Sequence, residues 1–180
     1  MKKIILSAFA ALFLFGSAFA ETVRMGTEGA YPPYNFINDN GEVDGFEKDV
    51  GDMLCIRANL DCVWVINEWD SIIPNLVSGN YDTIIAGMSI TAERDEVIDF
   101  TQDYFPPSPS VYMGMSGADI DVNSAVIAAQ TATIQAGYVA ESGATLVEFA
   151  TAEPNKKSAA NADSIIFFII FSLFFLYYFE

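Results

Sequence analysis

The residue types in this chain exclude most forms of side-chain catalysis. Its 180 residues contain no histidine and only two cysteines, so histidine-based acid–base catalysis and histidine metal ligation are excluded. We find no pairing of a nucleophile with a base, no cluster of metal ligands and no glycine-rich phosphate loop. These features predict a protein that is not an enzyme and that uses neither a cofactor nor a metal.

The first twenty residues have the pattern of a secretory signal peptide. Lys2 and Lys3 precede an almost unbroken apolar run from Ile4 to Phe15, and small residues at Ala18 and Ala20 predict cleavage after Ala20. The run is short for a membrane anchor, which needs about 20 residues. We therefore expect export to the periplasm and a mature chain that begins at residue 21.

The mature chain is strongly acidic. Removing residues 1–20 takes away two of the eight basic residues and none of the 24 acidic ones, so the net charge is 6 − 24 = −18. Nucleic-acid binding depends on clustered lysine and arginine and is therefore not expected. The charge favours solubility instead.

Cys55 and Cys62 lie seven positions apart. In an oxidising compartment a disulfide is the expected state of such a pair, and two cysteines offer too few ligands for a metal. Closing so short a loop stabilises the fold by about 2–3 kcal/mol in the chain-entropy model.

Hydrophobic periodicity predicts strands alternating with helices, which indicates an α/β fold with a largely parallel sheet. Strands are predicted over residues 22–27, 63–66, 83–86, 97–100, 124–129 and 145–150. Helices are predicted from Phe46, after Asp70 and Thr91 as N-terminal caps, and from Thr133. Clustered prolines at 106, 107 and 109 mark a boundary, so we expect a first lobe over 21–112 and the start of a second over 113–154.

The last 26 residues, 155–180, differ in composition from the rest of the chain. A polar linker is followed by Ser164 to Phe179, which is almost purely Ile, Phe, Leu and Tyr. As a helix this stretch would span about 24 Å, short of a hydrocarbon core of about 30 Å. A frameshifted or truncated product and a membrane-attachment segment are both open interpretations, and either predicts a chain prone to aggregation or membrane association.

Six ordered stretches resemble one known family. They are GTEGAYPPY at 26–34, GFEKDV at 45–50, WDSIIP at 69–74, YDTII at 81–85, MSITAER at 88–94 and DFT at 99–101. Together they resemble the family 3 extracellular solute-binding proteins, the amino-acid receptors of ABC importers. The resemblance covers residues 22 to about 154. It is closest to receptors for lysine, arginine, ornithine and opines, whose paired cysteines match Cys55 and Cys62.

The resemblance implies a periplasmic-binding-protein type II fold, in which two α/β lobes close over a ligand by a hinge. The first lobe would be complete except for its returning C-terminal segment, and the second lobe would be partial. The aspartate that usually holds the ligand ammonium in the second lobe has no counterpart in this sequence.

The family pattern also implies which residues hold an amino-acid carboxylate. Arg94 can bind it with a planar, two-pronged guanidinium, in the first turn of a short helix whose free N–H groups favour an anion. Ser89 would add a hydroxyl and an N–H, although it can also serve as a helix cap. Thr133 matches a carboxylate donor of the second lobe.

The remaining implied residues would surround the rest of the ligand. Tyr31 and Trp69 would form apolar walls, although both are also ordinary core residues. Glu28 matches an acid of receptors for cationic amino acids, with a solvated loop charge as the equal alternative. Ala86 and Gly87 replace serines of relatives and would offer backbone carbonyls to the ligand ammonium.

These features predict capture of a polar or cationic amino acid outside the cytoplasm for delivery to the permease subunits of an ABC transporter. Two alternatives remain. The first is a dehydratase acting on cyclic acids on the same fold, with Glu28 as the general acid. The second is a truncated product that does not bind, because few contacts would come from the second lobe.

Overall fold

The computed structural model describes residues 22–150, apart from 108, 115, 116, 118 and 120, together with a strand at 165–170. The signal peptide expected over 1–20 and most of the linker and tail lie outside these described residues. No helix in the described part is long and apolar enough to cross a membrane.

Strands and helices alternate along the chain, as the sequence predicts. The strands are β1 (Thr22–Thr27), β2 (Ala30–Tyr31), β3 (Asn35–Ile37), β4 (Val43–Asp44), β5 (Asp61–Ile66), β6 (Thr83–Ile84), β7 (Ser110–Met113), β8 (Val126–Gln130), β9 (Thr145–Phe149) and β10 (Ile165–Ile170). The helices are α1 (Phe46–Ala58), α2 (Ile72–Val77), α3 (Ala92–Asp95) and α4 (Ile134–Glu141), with a 3-10 turn at Trp69–Ser71.

The first lobe is built on a parallel sheet of three strands in the order β5-β1-β6. Strand β1 lies in the centre, where Met25 is opposite Trp64 of β5 and Thr83 of β6. The segment between β1 and α1 forms a small antiparallel sheet in the order β2-β3-β4. The loops that follow β1, β5 and β6 therefore leave the sheet at one edge.

The second lobe has a four-stranded sheet in the order β7-β10-β8-β9. Strands β10, β8 and β9 are parallel, and β7 pairs antiparallel with β10. Because β7 begins at Ser110, the second lobe starts slightly before the boundary expected at residue 113. In each of these two sheets the first of the three parallel strands lies between the other two, as β5-β1-β6 and as β9-β8-β10.

Strand β10 lies in the apolar tail, which follows the stretches that resemble the family. It lies between β7 and β8, with Phe167 opposite Met113 on one side and Ala128 on the other. A strand with a neighbour on each side typically has a continuous apolar sequence. Such a run cannot be distinguished by periodicity alone from a buried or membrane-associated helix, which is why the sequence did not predict this strand.

Each lobe has its own apolar core. Ile72, Tyr81 and Ala86 are buried in the first, and the Tyr81 hydroxyl donates to the carbonyl of Ile72. Ile127 and Val139 are buried in the second. The predicted disulfide is confirmed: Cys55 in the last turn of α1 is bonded to Cys62 in β5, with their Cα atoms 6.2 Å apart.

Two local predictions are wrong. Residues 97–100 form no strand: they follow α3 as turn, bend and coil and belong to none of the sheets in the described residues. A short apolar run does not by itself specify a pairing partner. Asp70 does not cap α2, because it lies inside the 3-10 turn and Ser71 takes the cap position without a side-chain hydrogen bond. The cap of α3 is as predicted, with Thr91 Oγ1 accepting a 3.2 Å hydrogen bond from the Arg94 N–H.

Candidate ligand-binding cleft

The predicted site residues follow the carboxyl ends of parallel strands, where open α/β sheets bind their ligands. Glu28 and Tyr31 come after β1, Trp69 after β5, Ala86 after β6 and Thr133 after β8. Two sheets therefore direct their loops toward one space between the lobes.

All eight predicted residues line a single cleft. They are Glu28, Tyr31, Trp69, Ala86, Gly87, Ser89, Arg94 and Thr133, joined by Gln130, Ile134 and Gln135. The cleft has a volume of about 40 Å³. It shares five residues with a neighbouring cavity of about 370 Å³: Tyr31, Gly87, Ser89, Ile134 and Gln135. Residues far apart in sequence and in different lobes are thus brought together in one cleft.

Arg94 is held in the cleft by neutral groups. Its guanidinium donates to the carbonyl of Ser89 at 2.9 Å and to that of Ala132 at 3.4 Å, and its Cζ atom lies 5.5 Å from the centroid of the Trp69 ring. Burial lowers the pKa of Arg94, and nearby Glu93 partly opposes this. Ser89 supports Arg94 through its carbonyl and is not the cap, because Thr91 has that role.

Glu28 is a half-buried carboxyl that directly follows the end of β1. Burial raises the pKa of Glu28 to about 7, a hydrogen bond from Gln130 opposes the rise, and the charge of Glu68 adds to it. Gln130 also donates to the carbonyl of Ala150 at 3.1 Å. Glu28 therefore lines the cleft and is partly removed from water.

Two aromatic side chains, Tyr31 and Trp69, line the cleft. Tyr31 stacks on Tyr34 with ring centroids 5.3 Å apart, and burial raises the pKa of Tyr31 to about 12. Trp69 is fixed across the lobes by a 3.2 Å hydrogen bond from its Nε1 to the carbonyl of Ala132.

Three further residues complete the predicted set. Thr133 caps α4, with its hydroxyl accepting from the N–H of Ala136 at 3.1 Å and donating to the carbonyl of Gln130 at 2.7 Å. Ala86 is buried. Gly87 has a positive φ of 60°, a conformation that other residues adopt only with strain. The backbone conformation at position 87 thus favours glycine.

Three cleft residues were not singled out from the sequence: Gln130, Ile134 and Gln135. Gln130 is the last residue of β8 and directly precedes the turn to Thr133. The position of Gln130 at a strand end next to a predicted site residue was a usable signal. The sequence offers no comparable signal for Ile134 and Gln135, since both lie in the first turn of a helix.

Within the described part of the chain, neither Glu28 nor Arg94 forms an ion pair with another residue. Among the described residues the ion pairs are Arg24 with Asp82 at 2.7 Å and Lys48 with Asp52. Neither pair includes Glu28 or Arg94. The cleft thus offers one cation and one acid to a ligand, each partly removed from water.

A family model for bacterial extracellular solute-binding proteins, family 3, matches residues 23–162. The matched range extends past the end near residue 154 that the sequence motifs indicated.

Relatives with assigned ligands are similar to much of the chain. ABC transporter arginine-binding protein 1 of Escherichia coli K12 is 39% identical over 111 residues, which are 62% of this chain and 46% of the relative. The octopine-binding periplasmic protein of Rhizobium meliloti is 48% identical over 98 residues, or 53% of this chain and 33% of the relative. The chain thus spans about half or less of the length of these two relatives.

A solved structure is also similar. It is that of a periplasmic His/Glu/Gln/Arg/opine family-binding protein from Silicibacter pomeroyi in complex with lysine. The identity is 70% and the TM-score is 0.71, over 81% of this chain and 67% of the other.

Proposed function

Because the chain belongs to the bacterial extracellular solute-binding proteins, family 3, we propose that it captures a cationic amino acid and delivers it to the permease subunits of an ABC transporter. Export through the signal peptide at 1–20 would place this capture in the periplasm. The names of the similar proteins, which bind arginine, octopine or lysine, support this ligand class.

The observation that carries the proposal is the pair of opposite charges in the cleft. Arg94 and Glu28 are half-buried, line the same space and have no partner of opposite charge among the described residues. A partly desolvated charge without a partner is unfavourable, so a ligand that brings both an anion and a cation gains from each. A basic amino acid does so with its carboxylate and its side chain.

Each part of such a ligand has a matching group in the cleft. The carboxylate would bind Arg94 in a two-pronged geometry, with Thr133 and Ser89 beside it. The ammonium would bind backbone carbonyls near Ala86. The apolar stem would lie against Tyr31 and Trp69, and the distal cation would pair with Glu28.

Contacts between the lobes indicate how the cleft would admit a ligand. Gln130 of the second lobe bonds to Glu28 of the first, and the carbonyl of Ala132 accepts from both Trp69 and Arg94. The cleft volume of about 40 Å³ has room for a few water molecules, which is too little for an amino acid. These hydrogen bonds must therefore break and reform around the ligand as the lobes open and close.

Titration calorimetry with L-arginine, L-lysine, L-glutamine and L-glutamate tests the proposal. We expect the two cationic amino acids to bind at least about tenfold more tightly than glutamine, since only they can pair with Glu28. Glu28→Gln should remove that preference. The control is Glu42→Gln, which makes the same charge change at an exposed turn position. Tighter binding of glutamate than of arginine would contradict the proposal.

A second candidate function is suggested by Glu28 alone. A carboxyl whose pKa is raised to about 7 is suited to general-acid catalysis near neutral pH. With Arg94 holding a substrate carboxylate, this could support dehydration of a cyclic acid. Incubation with prephenate-like acids and measurement of turnover separates the two functions, because a receptor only binds.

A further inference from the structure

Glu47 is a buried acid that none of the cleft contacts explains. It is the second residue of α1 and is 1% exposed. One carboxyl oxygen accepts from Asn35 Nδ2 at 2.5 Å, and the other accepts from the N–H of Gly87 at 2.6 Å and from the hydroxyl of Tyr104. All three partners are donors, which matches a carboxylate that can only accept.

These hydrogen bonds join the two loops of the first lobe that supply the cleft. Asn35 links Glu47 to Gly29, because its Oδ1 accepts a hydrogen bond from the N–H of Gly29 at 2.8 Å. Gly29 lies between Glu28 and Tyr31 in the loop after β1, and Gly87 lies in the loop after β6. A single carboxylate thus sets the positions of both loops relative to α1.

The hydrogen bond to Gly87 also fixes the direction of a neighbouring carbonyl. In a planar trans peptide the N–H and the C=O point in opposite directions. Because the Gly87 N–H is directed at Glu47, the Ala86 carbonyl is directed away from it. Ala86 lines the cleft, whereas Glu47 lines the neighbouring cavity of about 370 Å³. Glu47 therefore orients the carbonyl that the proposed function assigns to the ligand ammonium.

The third partner of Glu47 belongs to the segment that crosses between the lobes. Tyr104 lies between α3 and β7, and its neighbour Phe105 packs edge-on against Tyr34 and Phe46 with centroids 5.3 and 5.8 Å apart. Both side chains attach the crossing segment to the first lobe. The crossing segment and the loop after β6 thus donate to the same Glu47 carboxyl, and the loop after β1 is linked to it through Asn35.

We propose that Glu47 is a positioning residue for ligand binding: it sets the Gly29 and Gly87 loops and ties them to the crossing segment at Tyr104. This rests on the proposed function, since it assigns the Ala86 carbonyl to the ligand ammonium. Glu47 itself touches no ligand.

Donor and acceptor counting gives a sharp test of this role. In Glu47→Gln the new NH₂ group faces either the NH₂ of Asn35 or the N–H of Gly87, so each orientation of the glutamine amide leaves one donor–donor conflict. Rotating the Asn35 amide only moves the first conflict to the Gly29 N–H. Adding Asn35→Asp supplies an acceptor to both donors. The double variant has the same net charge as the wild type and restores every hydrogen bond, so it should rescue the single one.

Amide hydrogen exchange of the ligand-free protein measures positioning directly. We expect the Gly29 and Gly87 amides to exchange at least about tenfold faster in Glu47→Gln, with rates in β1 unchanged and with recovery in the double variant. Asp49→Asn is the matched control, an exposed acid in the same helix turn. Unchanged Gly29 and Gly87 exchange in Glu47→Gln would overturn the proposal.

A second arm uses L-arginine and its analogue that lacks the α-amino group. Glu47→Gln should reduce the preference for arginine over the analogue by about tenfold or more, and the double variant should restore it. An equal loss for both ligands would show a general structural effect and overturn the proposal. A wild-type protein that binds no amino acid would contradict the proposed function instead, and the exchange measurements then decide the role of Glu47.

Discussion

Gln130 of the second lobe donates a hydrogen bond to the Glu28 carboxyl of the first lobe. The two residues are 102 positions apart in sequence, yet each stands directly at or after the end of a central strand, Gln130 in β8 and Glu28 after β1. The bond satisfies one oxygen of Glu28 with a neutral donor and leaves its charge without a cation. Burial of this carboxyl raises its pKa although the bond opposes the rise, and this underlies the pH dependence expected for the protein.

Ligand binding should become tighter as the pH rises through neutrality. The pKa of Glu28 is raised to about 7, so a cationic ligand must displace a proton below that pH. If only the ionised form binds, affinity for arginine should rise about 30-fold between pH 5.5 and 8. Calorimetry across this range measures the change. In Glu28→Gln the affinity should be independent of pH, and a wild-type profile without slope would contradict the assignment.

The same group makes the unliganded protein less stable at higher pH. The folded pKa of about 7 lies above the ordinary value of 4.5, so the folded state holds more protons than the unfolded state between these values. The contribution of Glu28 to the free energy of unfolding should therefore be largest below about pH 4.5 and fall as the pH approaches 7. Urea unfolding of wild type and Glu28→Gln tests this, because their difference should grow in favour of the variant as the pH rises.

Arg94→Ala should weaken amino-acid binding by at least about 100-fold, or about 3 kcal/mol, because it removes a charged two-pronged partner from a partly dry cleft. Arg94→Lys should rescue little, since an ammonium cannot reproduce the planar fork. Arg57→Ala is the control, because Arg57 is exposed in the last turn of α1. Retained affinity in Arg94→Ala, measured by calorimetry, would exclude this residue as the carboxylate anchor.

Removing the disulfide should lower stability without changing the cleft. Cys55 joins Cys62 across the end of α1, and neither lines the cleft. The double substitution of both cysteines by alanine should reduce the free energy of unfolding by about 2–3 kcal/mol, as measured in urea. Reduction of the wild-type protein should give a similar loss, and arginine affinity should stay within about twofold.

The place of β10 in the second lobe is tested through its backbone. Phe167→Pro removes an N–H from a strand that is flanked by β7 and β8, a position where proline is rarely found. Amide exchange in Val126–Gln130 should become faster, while β1 of the first lobe stays protected. Unchanged protection of β8 would show that the tail does not pair there, and membrane association of the 164–179 segment would again be the better proposal.

Local chemistry explains which features the sequence predicted. Thr91 as a helix cap and the bond between Cys55 and Cys62 each depend on residues close together in the chain. The cleft residues, such as Arg94, Tyr31 and Trp69, came from ordered motifs that resemble one family. Nearly the whole candidate site could therefore be listed from the sequence, although its ligand remains a proposal.

The tertiary structure decided the relations between distant segments. Pairing of β10 with β7 and β8 is a choice among strands more than thirty residues apart, and an apolar run carries no information about its partner. The connection of Asn35, Glu47 and Gly87 likewise depends on packing of α1 against two loops, and in the sequence Glu47 is one of 24 acids. Strand partners and buried polar contacts depend on the whole fold, because each needs a donor or acceptor that only packing brings within reach.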